Sequence, residues 1–222
     1  MKSVQKFGSL LLAALMILSL TACGSKTSND PPAQTPSNGT TTEDTPAETP
    51  DDAATGDADN TASGSKVLVA YFSATGHTKA IAEYLQAALD ADLYEIVPQE
   101  PYTDADLDYN TDGCRANREQ NDDSARPAIS GSVNNMDGYD VAFVGYPIWW
   151  GQAPKIVYTF LESYDFSGKT IVPFCTSGSS GIGESLSGIQ ALAPDADWLT
   201  GQRFSADAGA ADVQSWVDNL GL

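Results

Sequence analysis

The sequence predicts a doubly wound α/β domain over Lys66–Leu222, a parallel sheet with helices on both faces. Three observations predict it. Short apolar runs alternate with amphipathic helical stretches, the order of strands joined by crossover helices. The first run, Val67–Phe72 (VLVAYF), is almost wholly apolar, as a strand covered on both faces requires. Composition also changes sharply near residue 65, which separates a core-forming region from everything before it.

Val67–Phe72 leads through a hydroxyl-rich loop into Thr78–Leu89, where Ile81, Ala82, Leu85 and Leu89 share one helical face. Leu93–Val97 reads as a second strand, Asp140–Tyr146 (DVAFVGY) as a third, Thr170–Cys175 (TIVPFC) as a fourth and Trp198–Phe204, more weakly patterned, as a fifth. Helical patterns lie between them at Ile156–Leu161 and Gly183–Leu192. A last one, Val213–Leu220, has Val213, Trp216, Val217 and Leu220 on one face. Pro98–Tyr139 is rich in Asp, Asn and Gly with little periodicity. It reads as a long connection, a type that is usually functional or disordered. There is no internal repeat and no sign of a second core.

Residues 1–22 have the layout of a secretory signal: Lys2 and Lys6, the apolar run Leu10–Leu20, then small residues. The run is too short for a membrane-spanning helix. Leu20-Thr21-Ala22-Cys23 resembles the bacterial lipobox, which implies that Cys23 is acylated and becomes the first residue of the mature protein. An ordinary secretory signal with an incidental cysteine is the alternative. Gly24–Ser65 has no aromatic residue and no Val, Ile or Leu, so it has nothing to bury and is expected to be disordered. Residues 23–65 thus read as a lipidated cysteine and a tether, holding the domain roughly 35 Å from its anchor on average. The expected location is the extracytoplasmic face of the cell membrane, by the lipid alone.

Of 30 acidic and 11 basic residues, eight and three precede Lys66, which leaves 22 and 8 in the domain and a net charge of −14. That balance excludes nucleic acid as a partner, because phosphates demand a basic surface. It would steer a basic partner, and it serves solubility equally well. Cys114 and Cys175 show no disulfide spacing, and two free or buried thiols are the expected state. There is no Cys/His metal pattern, and His77 is the single histidine.

In an open parallel sheet the ligand crevice lies beyond the carboxyl ends of the strands. Ser73-Ala74-Thr75-Gly76-His77-Thr78 follows the first strand and opens a helix, whose N-terminus favours an anion. The loop reads as a phosphate site, with a plain helix cap as the alternative. It lacks the Gly-Lys-Ser/Thr ending of a nucleoside-triphosphate loop and the GxGxxG spacing of a dinucleotide site. Pro147-Ile148-Trp149-Trp150-Gly151 follows the third strand. Neighbouring side chains in extended backbone point to opposite sides, so at least one tryptophan should be exposed as a platform for a flat ring. Thr176-Ser177-Gly178-Ser179-Ser180-Gly181 follows the fourth.

Taken together, YFSATGHT, YPIWWGQAP and TSGSSGIG resemble the three cofactor loops of the flavodoxin family, in its branch with a Trp-Trp second loop. The resemblance covers essentially all of Lys66–Leu222. It implies a flavodoxin-like fold of five parallel strands in the order 2-1-3-4-5, non-covalent FMN, and one- or two-electron redox chemistry. Carried over by position, Ser73, Thr75, Gly76, His77 and Thr78 would hold the FMN phosphate, with the backbone of Ala74. Pro147, Ile148, Trp149, Trp150 and Gly151 would border the isoalloxazine, while Thr176, Ser177, Gly178 and Gly181 would approach its pyrimidine edge and ribityl chain. His77 departs from the asparagine expected there and leaves its side-chain role open. Asp106–Asn110 and Arg115 resemble a segment that this branch places beside the flavin.

Three functions compete. A membrane-anchored electron carrier would dock a redox partner protein, with the domain monomeric and the partner surface basic. An FMN-dependent NAD(P)H:quinone or small-molecule reductase would use the same fold. A non-redox lipoprotein would bind a ligand without FMN. No acid, base or second dinucleotide motif is visible, which favours the carrier.

Overall fold

A computed structural model describes residues 65–222; the expected signal segment, Cys23 and nearly all of the tether lie outside the described residues. The parallel sheet runs β2 (Asp92–Glu95), β1 (Val67–Tyr71), β5 (Val141–Pro147), β6 (Thr170–Thr176), then β7 (Asp197–Trp198) and β8 (Gln202–Phe204) along one edge. With the last two taken as one broken strand, this is the order 2-1-3-4-5. No helix among the described residues is long and apolar enough to cross a membrane.

Alternation along the central strands sends successive side chains to two separate cores. On one face Val69, Tyr71, Phe143, Val172 and Phe174 meet Ile81, Ala82 and Leu85 of α1 (His77–Leu89) and Val213 of α5 (Ala210–Val217). On the other, Leu68, Ala70, Val144, Tyr146 and Ile171 meet Ile156, Val157 and Phe160 of α3 (Lys155–Glu162) and Ile189 of α4 (Gly183–Gln190). Both faces are therefore covered, as the near-continuous apolar strands require.

Two expected strands end differently in the structure. The second leaves the sheet after Glu95, and Val97–Pro98 instead forms β3, antiparallel to β4 (Ile129–Ser130). The fifth is interrupted. Leu199 donates to the Ile171 carbonyl (2.9 Å), so alternate residues of β6, including Pro173, present their backbone groups to this edge. Pro173 has no N–H to give, and the ladder resumes only at Phe174 beside Gln202.

Pro98–Tyr139 corrects the sequence reading most. It is not a structureless loop: it holds β3, β4, the short helix α2 (Arg115–Gln120) and two 3-10 turns, Asp104–Leu107 and Met136–Gly138. A reciprocal cap between Thr103 and Asp106 starts the first turn, and Cys114 Sγ accepts from Asn117 N–H at the start of α2. Cys114, Ala116, Met136 and Tyr139 are buried in the core beside α3. Elements of two to six residues are too short to show a period, which is why the pattern missed them.

Cys114 and Cys175 are free and buried, as expected. Burial pushes the Cys175 thiol up to about 12, so it stays protonated at pH 8 and should resist iodoacetamide in the folded protein. Mass spectrometry should find it labelled only after unfolding. A second prediction concerns Gly145: a Cβ there would lie 2.1 Å from Cζ of the buried Phe174 ring. Gly145→Ala should cost about 1–3 kcal/mol by urea denaturation, because neither central strand can shift.

Candidate functional site

Three loops leave the carboxyl ends of β1, β5 and β6 side by side because those strands are neighbours. Phe72 N–H donates to Gly145 C=O (2.9 Å) and Ile148 N–H to Thr176 C=O (3.0 Å), which carry the ladder to the base of the loops. Thr78 and Thr176, 98 residues apart, share a buried hydroxyl–hydroxyl bond of 2.8 Å. Between the loops lies a cleft of about 280 Å³ lined by Thr75, His77, Tyr109, Pro147, Ile148, Thr176, Ser177, Gly178 and Ala206. It is close to the ~300 Å³ lower bound for small-molecule pockets and opens to solvent.

The first loop presents backbone donors. Gly76 precedes α1 with φ +88°, and no side chain caps the helix. Ala80 is the first residue to close back, onto Gly76 C=O (3.1 Å), so the N–H groups of His77, Thr78 and Lys79 have no acceptor among the described residues. Ser73 Oγ accepts from Gly76 N–H (3.1 Å), which folds the loop on itself. An anion at this helix start would meet those free donors with Thr75 and His77 at the cleft wall.

The second loop is a two-residue turn. Trp149 and Gln152 exchange both N–H···O bonds at 2.9 Å, and the central residues, Trp150 and Gly151, have φ +46° and +80°, the signs of a type I′ turn. A tryptophan held there costs roughly 1–2 kcal/mol of backbone strain. Trp150 is 43% exposed, whereas Trp149 is 2% exposed and packs edge-on against Phe72 and Tyr102. One tryptophan is thus outward, as expected, but the turn rather than strand alternation puts it there, and it stands beside the cleft lining rather than in it. Trp149 can border a ligand only through its backbone, because its ring belongs to the core. Trp150 rests against Tyr109, ring centroids 5.0 Å apart.

In the third loop Ser177 N–H is anchored on Phe204 C=O (3.1 Å), and Ser177 Oγ donates to Ser180 C=O. Gly181 does not line the cleft; it borders the neighbouring hollow with Ser180, Gly183 and Glu184. Thr78, expected as a phosphate ligand, is buried with its hydroxyl against that of Thr176, whereas its N–H at the start of α1 has no acceptor among the described residues.

Gln120, which holds the second loop, gave no sequence signal, whereas Asp108 and Arg115 lie in the segment singled out by resemblance. Gln120, at the end of α2, donates through Nε2 to the carbonyls of Trp149 (3.1 Å) and Ala153 (3.3 Å) and accepts from Lys155 N–H (3.2 Å). It thereby clamps the strained turn from the long connection. Asp108 accepts from Thr111 Oγ1 (2.7 Å) and Asn110 N–H (3.0 Å), contacts that hold its carboxyl below the usual range and shape the loop carrying Tyr109. Arg115 does not reach the cleft. It bonds Glu119 (2.7 Å) and Glu100 C=O (2.8 Å) and lies 4.2 Å over the Tyr102 ring. No group of metal-ligating side chains occurs among the described residues.

The sequence profile of the family described as Flavodoxin matches residues 66–220. The chain belongs to the flavodoxin family. A crystal structure from Bacteroides eggerthii, provisionally called a flavoprotein, is 46% identical with a TM-score of 0.68, over 72% of this chain and 99% of that one. Its counterpart from Bacteroides uniformis is 42% identical with a TM-score of 0.67, over 70% and 99%. A Lactobacillus acidophilus flavoprotein solved in complex with FMN, 24% identical over 72% and 100%, shares the fold at a TM-score of 0.56. No curated protein matches the chain.

In this flavodoxin domain the turn clamp is testable apart from any ligand. Gln120→Ala leaves the Ala153 carbonyl and the Lys155 N–H without partners and the Trp149 carbonyl with Gln152 N–H alone, and should cost about 1–3 kcal/mol in urea denaturation. Trp150 should also become more accessible to acrylamide quenching.

Proposed function

We propose that residues 66–222 bind FMN non-covalently and act as an electron carrier, held at the extracytoplasmic face of a bacterial membrane by a lipid on Cys23. The observation that carries the reading is the cleft itself. Unpaired N–H groups at the start of α1 meet a hydroxyl-rich wall, the Tyr109 ring with the exposed Trp150 indole against it, and a glycine-serine rim. That donor set fits the cofactor. The free N–H groups of His77, Thr78 and Lys79, with the Thr75 hydroxyl, suit a phosphate. Pro147, Ile148 and Tyr109 line the space for a ring, and Trp150, against Tyr109, stands at its outer side. Thr176, Ser177 and Gly178 serve the polar edge of the ring. Bound FMN supplies one- and two-electron chemistry, and the protein supplies position and electrostatics.

Exchange with another protein, rather than turnover of a small substrate, fits the exposed Tyr109–Trp150 pair at the cleft mouth. Asp104, Asp106, Asp108 and Asp112 lie on the same loop segment. Such an acidic rim around an aromatic contact suits a redox partner with a basic docking surface. The tether would let the domain reach that partner without leaving the membrane.

The full chain, purified in detergent and incubated with FMN, should show a flavin spectrum at one cofactor per chain. A colourless protein after reconstitution overturns the redox reading. Rapid NADH oxidation with a quinone would replace the carrier by a reductase. Thr75→Glu, which sets a carboxylate against the phosphate, should weaken FMN binding by about 100-fold or more in a fluorescence titration. For the anchor, palmitate labelling should mark the wild-type chain and not Cys23→Ala.

A further inference from the structure

Eight basic side chains serve a domain with 22 carboxylates, and nearly all are engaged away from the cleft. Lys66, Lys79, Arg115, Arg126 and Lys155 pair with carboxylates. Arg118 bonds Gly113 C=O, and Lys169 bonds the carbonyls of Asp137 and Tyr139. Arg203, on β8, is bound instead to residues that line the cleft. Its Nε donates to Ser177 Oγ (3.2 Å), and its Nη2 donates to the carbonyls of Ser177 (2.6 Å) and Gly178 (2.7 Å).

The guanidinium lies behind the loop. Arg203 lines a hollow with Gln202, Phe204, Ser205 and Asp212, which shares no residue with the cleft. In a planar trans peptide the C=O and the following N–H point to opposite edges. With the Ser177 and Gly178 carbonyls drawn to Arg203, the N–H groups of Gly178 and Ser179 are turned to the opposite side. Neither has an acceptor among the described residues. Two successive donors so directed suit the acceptor edge of a planar ring, and a cation bonded to the carbonyls behind them polarises both peptides.

We propose that Arg203 is a positioning residue for the cofactor: it aims the Gly178 and Ser179 N–H groups at the polar edge of bound flavin and places a positive charge behind them. In that role Arg203 raises cofactor affinity. It also makes electron uptake easier than the acidic domain alone would allow, because fixed donors stabilise charge that accumulates in front of them. The inference rests on the FMN reading above.

The test compares the full-length wild type with Arg203→Met and Arg203→Lys, using FMN titration, spectroelectrochemical midpoint potentials and far-UV circular dichroism. Arg203→Met should raise the FMN dissociation constant about 10- to 100-fold and move the potential to more negative values. Arg203→Lys keeps the charge and loses the fork, so it should restore the potential more fully than the affinity. If Arg203→Met fails to fold, Arg203→Lys decides, and an unchanged dissociation constant in that variant overturns the positioning role. Wild-type affinity and potential in Arg203→Met overturn the proposal, as does lost affinity with an unmoved potential in both variants. A wild type that binds no FMN ends the cofactor reading itself, whereas a binding wild type with indifferent variants ends only the role of Arg203.

Discussion

The parallel ladder joining β1, β5 and β6 is the constraint on which the rest of the molecule depends. Each of these strands is covered by helices on both faces, so every backbone N–H and C=O inside the sheet must find its partner within it. Where the ladder stops, at Phe72, Pro147 and Thr176, the chain is released into three loops held side by side. Residues separated by 98 positions then share a hydrogen bond. The cleft is a consequence of that shared termination, and α1 starts there because its strand ends there.

Beyond the ladder the loops need other support, and each receives it from a different part of the chain. The first folds on its own Ser73 hydroxyl. The second, strained at Trp150, is gripped by Gln120 from the 98–139 connection. The third is held by Arg203 and Phe204 from the far edge strand. The donors left free at the cleft, on His77, Thr78, Lys79, Gly178 and Ser179, are distinct from those that hold the loops, and the second and third loops are braced by side chains from outside.

Long connection and edge strand are therefore parts of the site rather than decoration around it. Cys114, Ala116 and Met136 fasten the connection to the core, which holds Gln120 under the second loop and Tyr109 at the cleft wall. Pro173 breaks the edge ladder, and the shifted restart at Gln202 is what sets Arg203 beside Cys175 and within reach of Ser177.

Sequence alone determined the elements whose length spans a full hydrophobic period and the loops at their ends. Val67–Phe72, the face of α1, the Trp-Trp pair and the three loop motifs were all legible, because burial on two faces and the need for free backbone donors restrict residue type at each position. Alternation led to the expectation of one exterior tryptophan. The turn that reverses the chain between Trp149 and Gln152 is what puts it there and decides which of the two it is. The segment carrying Tyr109 was legible through its resemblance, but only the tertiary structure decided the roles of Gln120 and Arg203, and withdrew the side chains of Trp149, Thr78 and Arg115 from the cleft. These residues act through partners up to 98 positions away or through the register of an edge strand. A lone polar or charged side chain carries no local pattern, so its partner is chosen by packing, after the chain has folded.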